Sequence, residues 1–127
     1  MKFAVNQIEK FAKPYHFAYD FDLYNALVNK NDILAVKKCH VEGDIREPRH
    51  QEFLVSLDID LELIMQCAVS LEEVFYPMHI VTDVVFSYDE VDDYYLIDKN
   101  TVNIDDAVLT EVLINLPLRV VKEEYQD

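Results

Sequence analysis

A strict alternation of apolar and polar residues identifies residues 53–67 as a β-strand. Every second position is apolar, namely Phe53, Val55, Leu57, Ile59, Leu61 and Leu63. After Leu54, the positions between them carry the polar side chains Ser56, Asp58, Asp60 and Glu62. Successive side chains of a strand point to opposite faces, so the pattern predicts one buried and one solvated face, as in an antiparallel sheet. A slip of one residue would bury these three carboxylates, so we expect a fixed register.

Other segments with the same period predict further strands. The odd positions of 15–23 are aromatic or Leu, and aromatic residues suit strands. Residues 33–48 and 74–88 also read as strands, and 94–97 as a short one. Pro77 has no amide hydrogen, so it predicts a sheet edge or a bulge within 74–88.

Helices are expected near both ends of the chain. Asn6 is a candidate N-cap for a short helix over 7–12, and 24–30 is either one helical turn or a loop. Apolar residues recur with a helical period from Ile104 to Leu116, before a proline: Val108, Val112 and Leu116, with Leu109 and Leu113 beside them. A run of strands beside terminal helices predicts an α+β fold. We expect one domain over residues 1–127, built mainly on an antiparallel sheet that is either open or a small barrel.

Charge is distributed unevenly along the chain. The formal net charge is −14, with 25 acidic and 11 basic residues. Residues 51–98 hold twelve acids and no Lys or Arg, whereas residues 1–50 have a net charge of +1. A surface built from the middle of the chain should repel phosphate and attract basic partners. The competing interpretation is that the charge only keeps the protein soluble.

The sequence contains no recognisable catalytic arrangement. It lacks a nucleophile elbow, a P-loop and an H-E-x-x-H motif, and its single glycine cannot build a phosphate-binding loop. Cys39 and His40 are adjacent, so on a strand they would point to opposite faces. We therefore expect a protein that is not an enzyme and binds no cofactor.

Metal binding is not expected either. Asp58, Asp60 and Glu62 are spaced like the start of a calcium loop, but Leu63 and Val69 occupy the positions that need glycine and an acid. No zinc site with normal spacing can be written, and Cys39 and Cys67 are expected to be thiols rather than a disulfide. A solvated strand face explains the acids, and we expect no stoichiometric zinc.

The chain shows no targeting segment. Its N-terminus lacks the apolar stretch of a signal peptide, and no apolar run approaches the ~18–20 residues that span a bilayer. A cytoplasmic protein without membrane contact is expected.

Residues 67–77 resemble the C-x-R-C-L-x-x-V-x-x-P motif of the YceD family, the large ribosomal RNA subunit accumulation proteins. The matching positions are Cys67, Leu71, Val74 and Pro77. Two other features of that family have counterparts here, a "v-x-G" element at 41–43 and an "I-D-L…E-x-L-x-x-L-P" helix at 104–117. Val69 and Ser70 replace the Arg and the second Cys of the motif, so no metal or redox role is carried over to Cys67.

The resemblance implies a non-enzymatic factor that supports accumulation or processing of large-subunit ribosomal RNA. Members of the family are thought to act in ribosome assembly. Together with the negative charge, this leads us to expect binding to a basic ribosomal protein or a pre-ribosomal particle. The oligomeric state is left open.

The candidate binding residues are acidic side chains and neighbouring tyrosines. They are Asp89, Glu90, Asp92, Asp93, Tyr94 and Tyr95, with Tyr88 beside them. These tyrosines either anchor a partner or pack into the sheet. The alternative function is direct binding of ribosomal RNA by bases expected at one end of a hairpin, namely Lys37, Lys38, Arg46 and Arg49.

Overall fold

The computed structural model describes residues 1–28 and 32–117. Its elements, in chain order, are β1 (Lys2–Ala4), α1 (Val5–Ile8), β2 (Tyr15–Asp20), α2 (Tyr24–Leu27), β3 (Ile33–Arg49), β4 (Glu52–Gln66), β5 (Glu73–Ser87), β6 (Tyr95–Leu96), β7 (Thr101–Asn103) and α3 (Ile104–Asn115). Strands β2 to β6 form one sheet in sequence order, and β1 pairs with β7 in a second, two-stranded sheet. The fold is the expected α+β type, and the larger sheet is open.

Three long antiparallel strands form the body of the larger sheet. β3 and β4 form a hairpin whose turn contains Gln51 in the left-handed region, with φ of 58°. β4 and β5 pair without a register shift from Phe53 opposite Phe86 to Gln66 opposite Glu73. Pro77 lies opposite Glu62 of β4 without a register shift, and within the described residues no strand pairs with β5 on its other side at this position, so the predicted edge is confirmed.

The register of β4 is the one that its sequence predicts. All six apolar residues from Phe53 to Leu63 are buried, with exposed fractions of 1% or less. Asp58 and Asp60 are exposed on the other face, and Glu62 is half-buried there. The core joins this face to β2, β3, β5 and the helices in one cluster that reaches from Val5 to Val112.

The single glycine marks a close approach between β2, β3 and β4. Gly43 lies opposite Phe17 on β2 and Leu57 on β4. A Cβ at this position would lie 2.4 Å from the Ser56 carbonyl oxygen and 2.7 Å from Cζ of Phe17. The backbone of Gly43 has no positive φ, so the glycine is required by space rather than by conformation.

The helices differ from expectation mainly in their bounds. α1 begins at Val5 rather than Gln7, because Val5 and Ile8 both reach the core and start the helix ahead of the candidate cap Asn6. Of the segment 24–30, residues 24–27 form a helical turn, and residues 29 and 30 lie outside the described part of the chain. The side chain of Asn103 caps α3 by accepting a hydrogen bond from the Asp106 amide at 3.1 Å.

The buried side of α3 is shifted from the one expected. Ile104, Ala107, Val108 and Val112 are buried, whereas Leu113 is 39% exposed. The N-terminal half of the helix packs most deeply, next to the β1–β7 sheet, which the sequence did not predict. No helix within the described residues has the length and apolar character needed to cross a membrane.

Replacing Leu61 by alanine tests the β4 register. Leu61→Ala should lower the free energy of unfolding by roughly 2–5 kcal/mol, because it leaves a cavity in the core. Asp60→Asn, one residue away on the solvated face, should change it by less than about 0.5 kcal/mol. Urea titration measures both, and equal effects of the two changes would contradict the register.

Replacing Gly43 by alanine tests the close approach. Gly43→Ala should destabilise the fold by roughly 1–3 kcal/mol, because the new methyl group meets a strand carbonyl that cannot move without disturbing the β3–β4 ladder. If the site were open, alanine would instead stabilise the chain by restricting its unfolded state. An unfolding midpoint at or above that of the wild type would refute the steric argument.

Candidate functional site

The solvated face of the larger sheet concentrates acidic side chains from four strands. The cross-strand register brings together Asp20 of β2 with His40, Asp60 and His79 in one row. The next row contains Glu42, Asp58 and Val81, and the row beyond it begins with His16 and Asp44. We define the acidic sheet face by seven of its outward carboxylates, Asp20, Glu42, Asp44, Asp58, Asp60, Glu62 and Asp83.

Among the described residues of this face, basic side chains lie toward its two ends. Lys38 is opposite Glu62, and Arg46 is opposite Leu54 at the other end of β3. With the imidazoles neutral, the seven carboxylates and these two bases leave a formal charge of −5. Glu42 lies directly opposite Asp58, a like-charged pair that destabilises a sheet. The face is therefore strongly negative at a cost in folding free energy.

Histidine side chains lie among the carboxylates. His79 Nε2 lies 2.6 Å from Asp58 Oδ1 and 4.0 Å from Asp60 Oδ1. His16 Nδ1 lies 2.9 Å from Asp44 Oδ1. The hydrogen bond with Asp58 is the main cause that raises the pKa of His79 above its ordinary value.

His40 contacts carboxylates through both ring nitrogens. Its Nδ1 lies 2.7 Å from Asp20 Oδ1, and its Nε2 lies 3.2 Å from Glu42 Oε1. A neutral imidazole has one N–H, whereas ionised carboxylates only accept, so this arrangement favours the imidazolium form. The hydrogen bond with Asp20, then that with Glu42, raises the pKa of His40. The charge of the face thus depends on pH near neutrality.

Among the residues that the structure describes, two groups of side chains have the donor atoms for a cation. In Asp58, Asp60 and His79, and again in Glu9, Glu47 and His50, one ligand atom per residue lies within 4.8 Å of the others. The first group is already linked as a histidine–carboxylate pair. In the second, Glu47 accepts a hydrogen bond from the Gln51 amide at 2.8 Å. In both groups, donor atoms already contact other groups of the protein.

The acidic loop, which we define as residues 89–93, lies at the end of the sheet beside the β3–β4 turn. Asp89, Glu90, Asp92 and Asp93 are all exposed, as expected. The loop shares a surface depression with Arg49 and His50 of that turn. It is a second acidic surface, smaller than the acidic sheet face.

The tyrosines beside the loop divide into exposed and packed residues. Tyr88 and Tyr94 are 37% and 39% exposed. Tyr95 is half-buried against Phe86, with ring centroids 5.4 Å apart, and its hydroxyl donates to Glu111 Oε1 at 3.1 Å. Burial is the main cause that raises the pKa of Tyr95 to about 12. The expectation of Tyr95 as a partner anchor is corrected, because the side chain joins β6 to α3.

The basic residues of the RNA-binding alternative do not lie together. Lys38 pairs with Glu62 and Arg49 with Glu52, at opposite ends of the β3–β4 hairpin. Eight residues of extended strand separate Lys38 from Arg46, roughly 26 Å at about 3.3 Å per residue. The expectation that Lys37, Lys38, Arg46 and Arg49 share one end of a hairpin is wrong, because the four residues are spread along β3, which runs from Ile33 to Arg49.

The residues that resemble the family motif form the turn between β4 and β5. Cys67 is fully buried, its amide donates to the Glu72 carbonyl at 2.7 Å, and its carbonyl accepts from the Leu71 amide at 3.0 Å. Leu71 adopts a left-handed conformation with φ of 66° and is 67% exposed. Val74 and Pro77 follow on β5. In this chain the segment sets the turn that aligns β5 with β4.

Cys39 and His40 lie on opposite faces of β3, as expected from their adjacency. Cys39 is buried beneath the sheet, where burial raises the pKa of its thiol to about 12. His40 is on the acidic sheet face. The pair therefore has no nucleophile–base geometry.

Sequence reasoning identified the outward carboxylates of β4 only as a solvated strand face. The missing information was the cross-strand register, because the residues opposite Asp58 and Asp60, Glu42 and His79, belong to neighbouring strands. The available signal was the spacing of acids at every second position in two consecutive predicted strands, at Glu42 and Asp44 and again at Asp58, Asp60 and Glu62.

Comparison with known proteins gives one distant relative. The chain is 26% identical over 137 aligned residues to an uncharacterised protein, YlbN, of Bacillus subtilis (strain 168). The alignment covers 100% of this chain and 77% of the relative. No family model and no solved structure matches the chain.

The histidine–carboxylate pairs should make stability depend on pH. Because folding raises the pKa of His40 and His79 above the ordinary 6.5, their contribution is fully present below that pH and is lost as pH rises through the folded-state values. The free energy of unfolding should therefore increase as pH falls from 8 to 6, and less so in His79→Asn.

A double-mutant cycle with His79→Asn and Asp58→Asn isolates one pair. The coupling between the two changes, from urea titrations, should be larger at pH 6 than at pH 8. A coupling that is independent of pH would show that the contact does not involve a protonated imidazole.

Proposed function

We propose that this chain is a non-enzymatic, cytoplasmic ribosome-assembly factor that supports accumulation or processing of large-subunit ribosomal RNA. In this proposal it binds a basic ribosomal protein, free or in a pre-ribosomal particle, through the acidic sheet face. The observation that carries the proposal is the convergence of seven outward carboxylates from four strands on one face. The ribosomal context rests on the resemblance of residues 67–77 and 104–117 to the YceD family.

The charge distribution supports a protein partner rather than RNA. Phosphate would be repelled by the acidic sheet face and by the acidic loop alike. Ribosomal proteins carry the opposite charge because they bind RNA, so both acidic surfaces would steer them into contact. A folded acidic surface would also shield such a protein from non-specific RNA contacts until it reaches its site.

Retention of like charges supports a binding role over solubility. Solubility requires net charge but not carboxylates placed opposite each other, as in Glu42 and Asp58. Such an arrangement lowers stability, and the same charges spread over other surfaces would keep the chain equally soluble. Binding of a basic partner removes the repulsion and makes the arrangement useful.

Two variants with equal net charge test the location of the binding surface. The face variant carries Asp58→Asn, Asp60→Asn, Glu62→Gln and Asp83→Asn. The loop variant carries Asp89→Asn, Glu90→Gln, Asp92→Asn and Asp93→Asn. Each changes four carboxylates, so the formal charge falls in magnitude from −14 to −10 in both.

Association with purified basic large-subunit ribosomal proteins is then followed by stopped-flow fluorescence at two salt concentrations. The face variant should associate about tenfold more slowly at low salt, with a weaker salt dependence, and the loop variant should be less affected. Equal slowing in both variants would show that only net charge matters. Unchanged association with tighter binding of ribosomal RNA fragments would support the RNA-binding alternative.

A further inference from the structure

The outer edge of β5 is open along most of its length. β5 pairs with β4 from Glu73 to Phe86, whereas β6 pairs only with Phe86 and Ser87. Within residues 1–28 and 32–117 no other strand pairs with β5. The edge between Glu73 and Val85 thus lies beside no further strand, and such an edge is a template for strand addition.

The direction of the backbone groups along this edge follows from one hydrogen bond. The Ser87 carbonyl accepts from the Ile97 amide at 2.8 Å, on the β6 side. Residues of an antiparallel strand alternate in the side to which both backbone groups point, and the β4–β5 register has no shift. The odd-numbered residues of β5 therefore direct their backbone groups to the open edge.

Pro77 fits this assignment. As an odd-numbered residue, it faces the open edge with its nitrogen, so its missing N–H costs no bond to β4. The amides of Phe75, His79, Val81 and Asp83 face the same edge, and so does that of Val85. A strand placed here would find a carbonyl acceptor at every second residue, and an N–H donor at every second residue except Pro77.

The side chains along the edge are apolar and acidic. Phe75 and Val81 point to the solvated face and are 56% and 71% exposed. His79 and Asp83 lie between and beyond them, next to the acidic sheet face. On the other face, Val74, Tyr76 and Met78 pack against the core but are only partly buried.

Charge selects the kind of strand that fits. A second copy of this chain would add a further formal net charge of −14. It would also place two acidic sheet faces side by side, and repulsion between like charges opposes this arrangement. An extended segment with basic residues on the solvated face and apolar residues on the other would neutralise Asp83 and its neighbours. It would also cover Val74, Tyr76 and Met78.

We propose that the open edge of β5 between Glu73 and Val85 binds an extended basic segment of a protein partner as an added strand. The inference rests on the proposed function for the class of partner and adds the mode of recognition. Main-chain hydrogen bonds supply affinity in this mode, and the alternating side chains supply specificity.

The probe is a short peptide of alternating lysine and valine, with binding followed by fluorescence anisotropy and amide hydrogen exchange. Val81→Pro removes one edge-facing donor without touching the β4 ladder, and Val81→Thr is the matched control. Val81→Pro should weaken binding about tenfold and Val81→Thr less than about twofold. The amides of Phe75, His79, Val81 and Asp83 should become protected from exchange in the wild-type complex.

Two peptides N-methylated on alternate residues test the same point without changing the protein. In one peptide the methylated amides point toward β5, and in the other they point away from it. The two peptides carry the same side-chain charge. One peptide should lose binding and the other should retain it, whichever direction the strand runs. Equal binding of both, or no protection of the edge amides at saturation, would overturn the added-strand proposal.

The outcomes separate this inference from the proposed function. Equal peptide binding to wild type and Val81→Pro, with loss in the face variant, would refute the edge and leave the acidic sheet face as the site. Failure of the peptide and of basic ribosomal proteins to bind the wild type would refute both. A dimer in sedimentation that Val81→Pro dissociates would assign the edge to a second copy and overturn the basic-strand proposal.

Discussion

The register of β4 between β3 and β5 is the constraint on which the rest of the structure depends. Six apolar residues from Phe53 to Leu63 point into the core, and the carboxylates between them point out. A slip of one residue would bury Asp58, Asp60 and Glu62 at a cost of several kcal/mol each if unpaired. The same alternation therefore builds the core on one face and the acidic sheet face on the other.

The acidic sheet face combines repulsion with local relief. Glu42 opposite Asp58 is unfavourable, but His79 contacts Asp58 and His40 bridges Asp20 and Glu42. These imidazoles offset part of the repulsion, and they do so more at lower pH. The arrangement conflicts with the locally best choice for a sheet surface, and such conflicts concentrate at functional sites.

Local pattern was sufficient for the long strands and insufficient for the site. Period-2 alternation predicted the long strands, and Pro77 correctly predicted an edge, because both effects act within one strand. β1 and β7 were missed, since a pairing between residues 2–4 and 101–103 has no local signal. Tyr95 was misjudged because its contact with Glu111 depends on how α3 returns to the sheet.

The same difference between local pattern and cross-strand pairing explains which candidate binding residues were found from the sequence. Asp89 and its neighbours were found because they are consecutive in the chain, whereas the larger acidic surface is assembled across four strands. Lys37 and Arg49 were grouped because both are basic and close in sequence. The length of β3 between them keeps them apart.

We propose that the acidic sheet face binds a basic protein of the large ribosomal subunit. The most direct measurement is a pull-down from cell lysate with the wild type and the face variant, at low and at moderate salt, with recovered ribosomal proteins and RNA quantified separately. The wild type should recover basic ribosomal proteins at low salt and fewer of them at moderate salt, and the face variant should recover markedly fewer at either salt concentration. Recovery of ribosomal RNA without basic proteins, increased by the face variant, would contradict it.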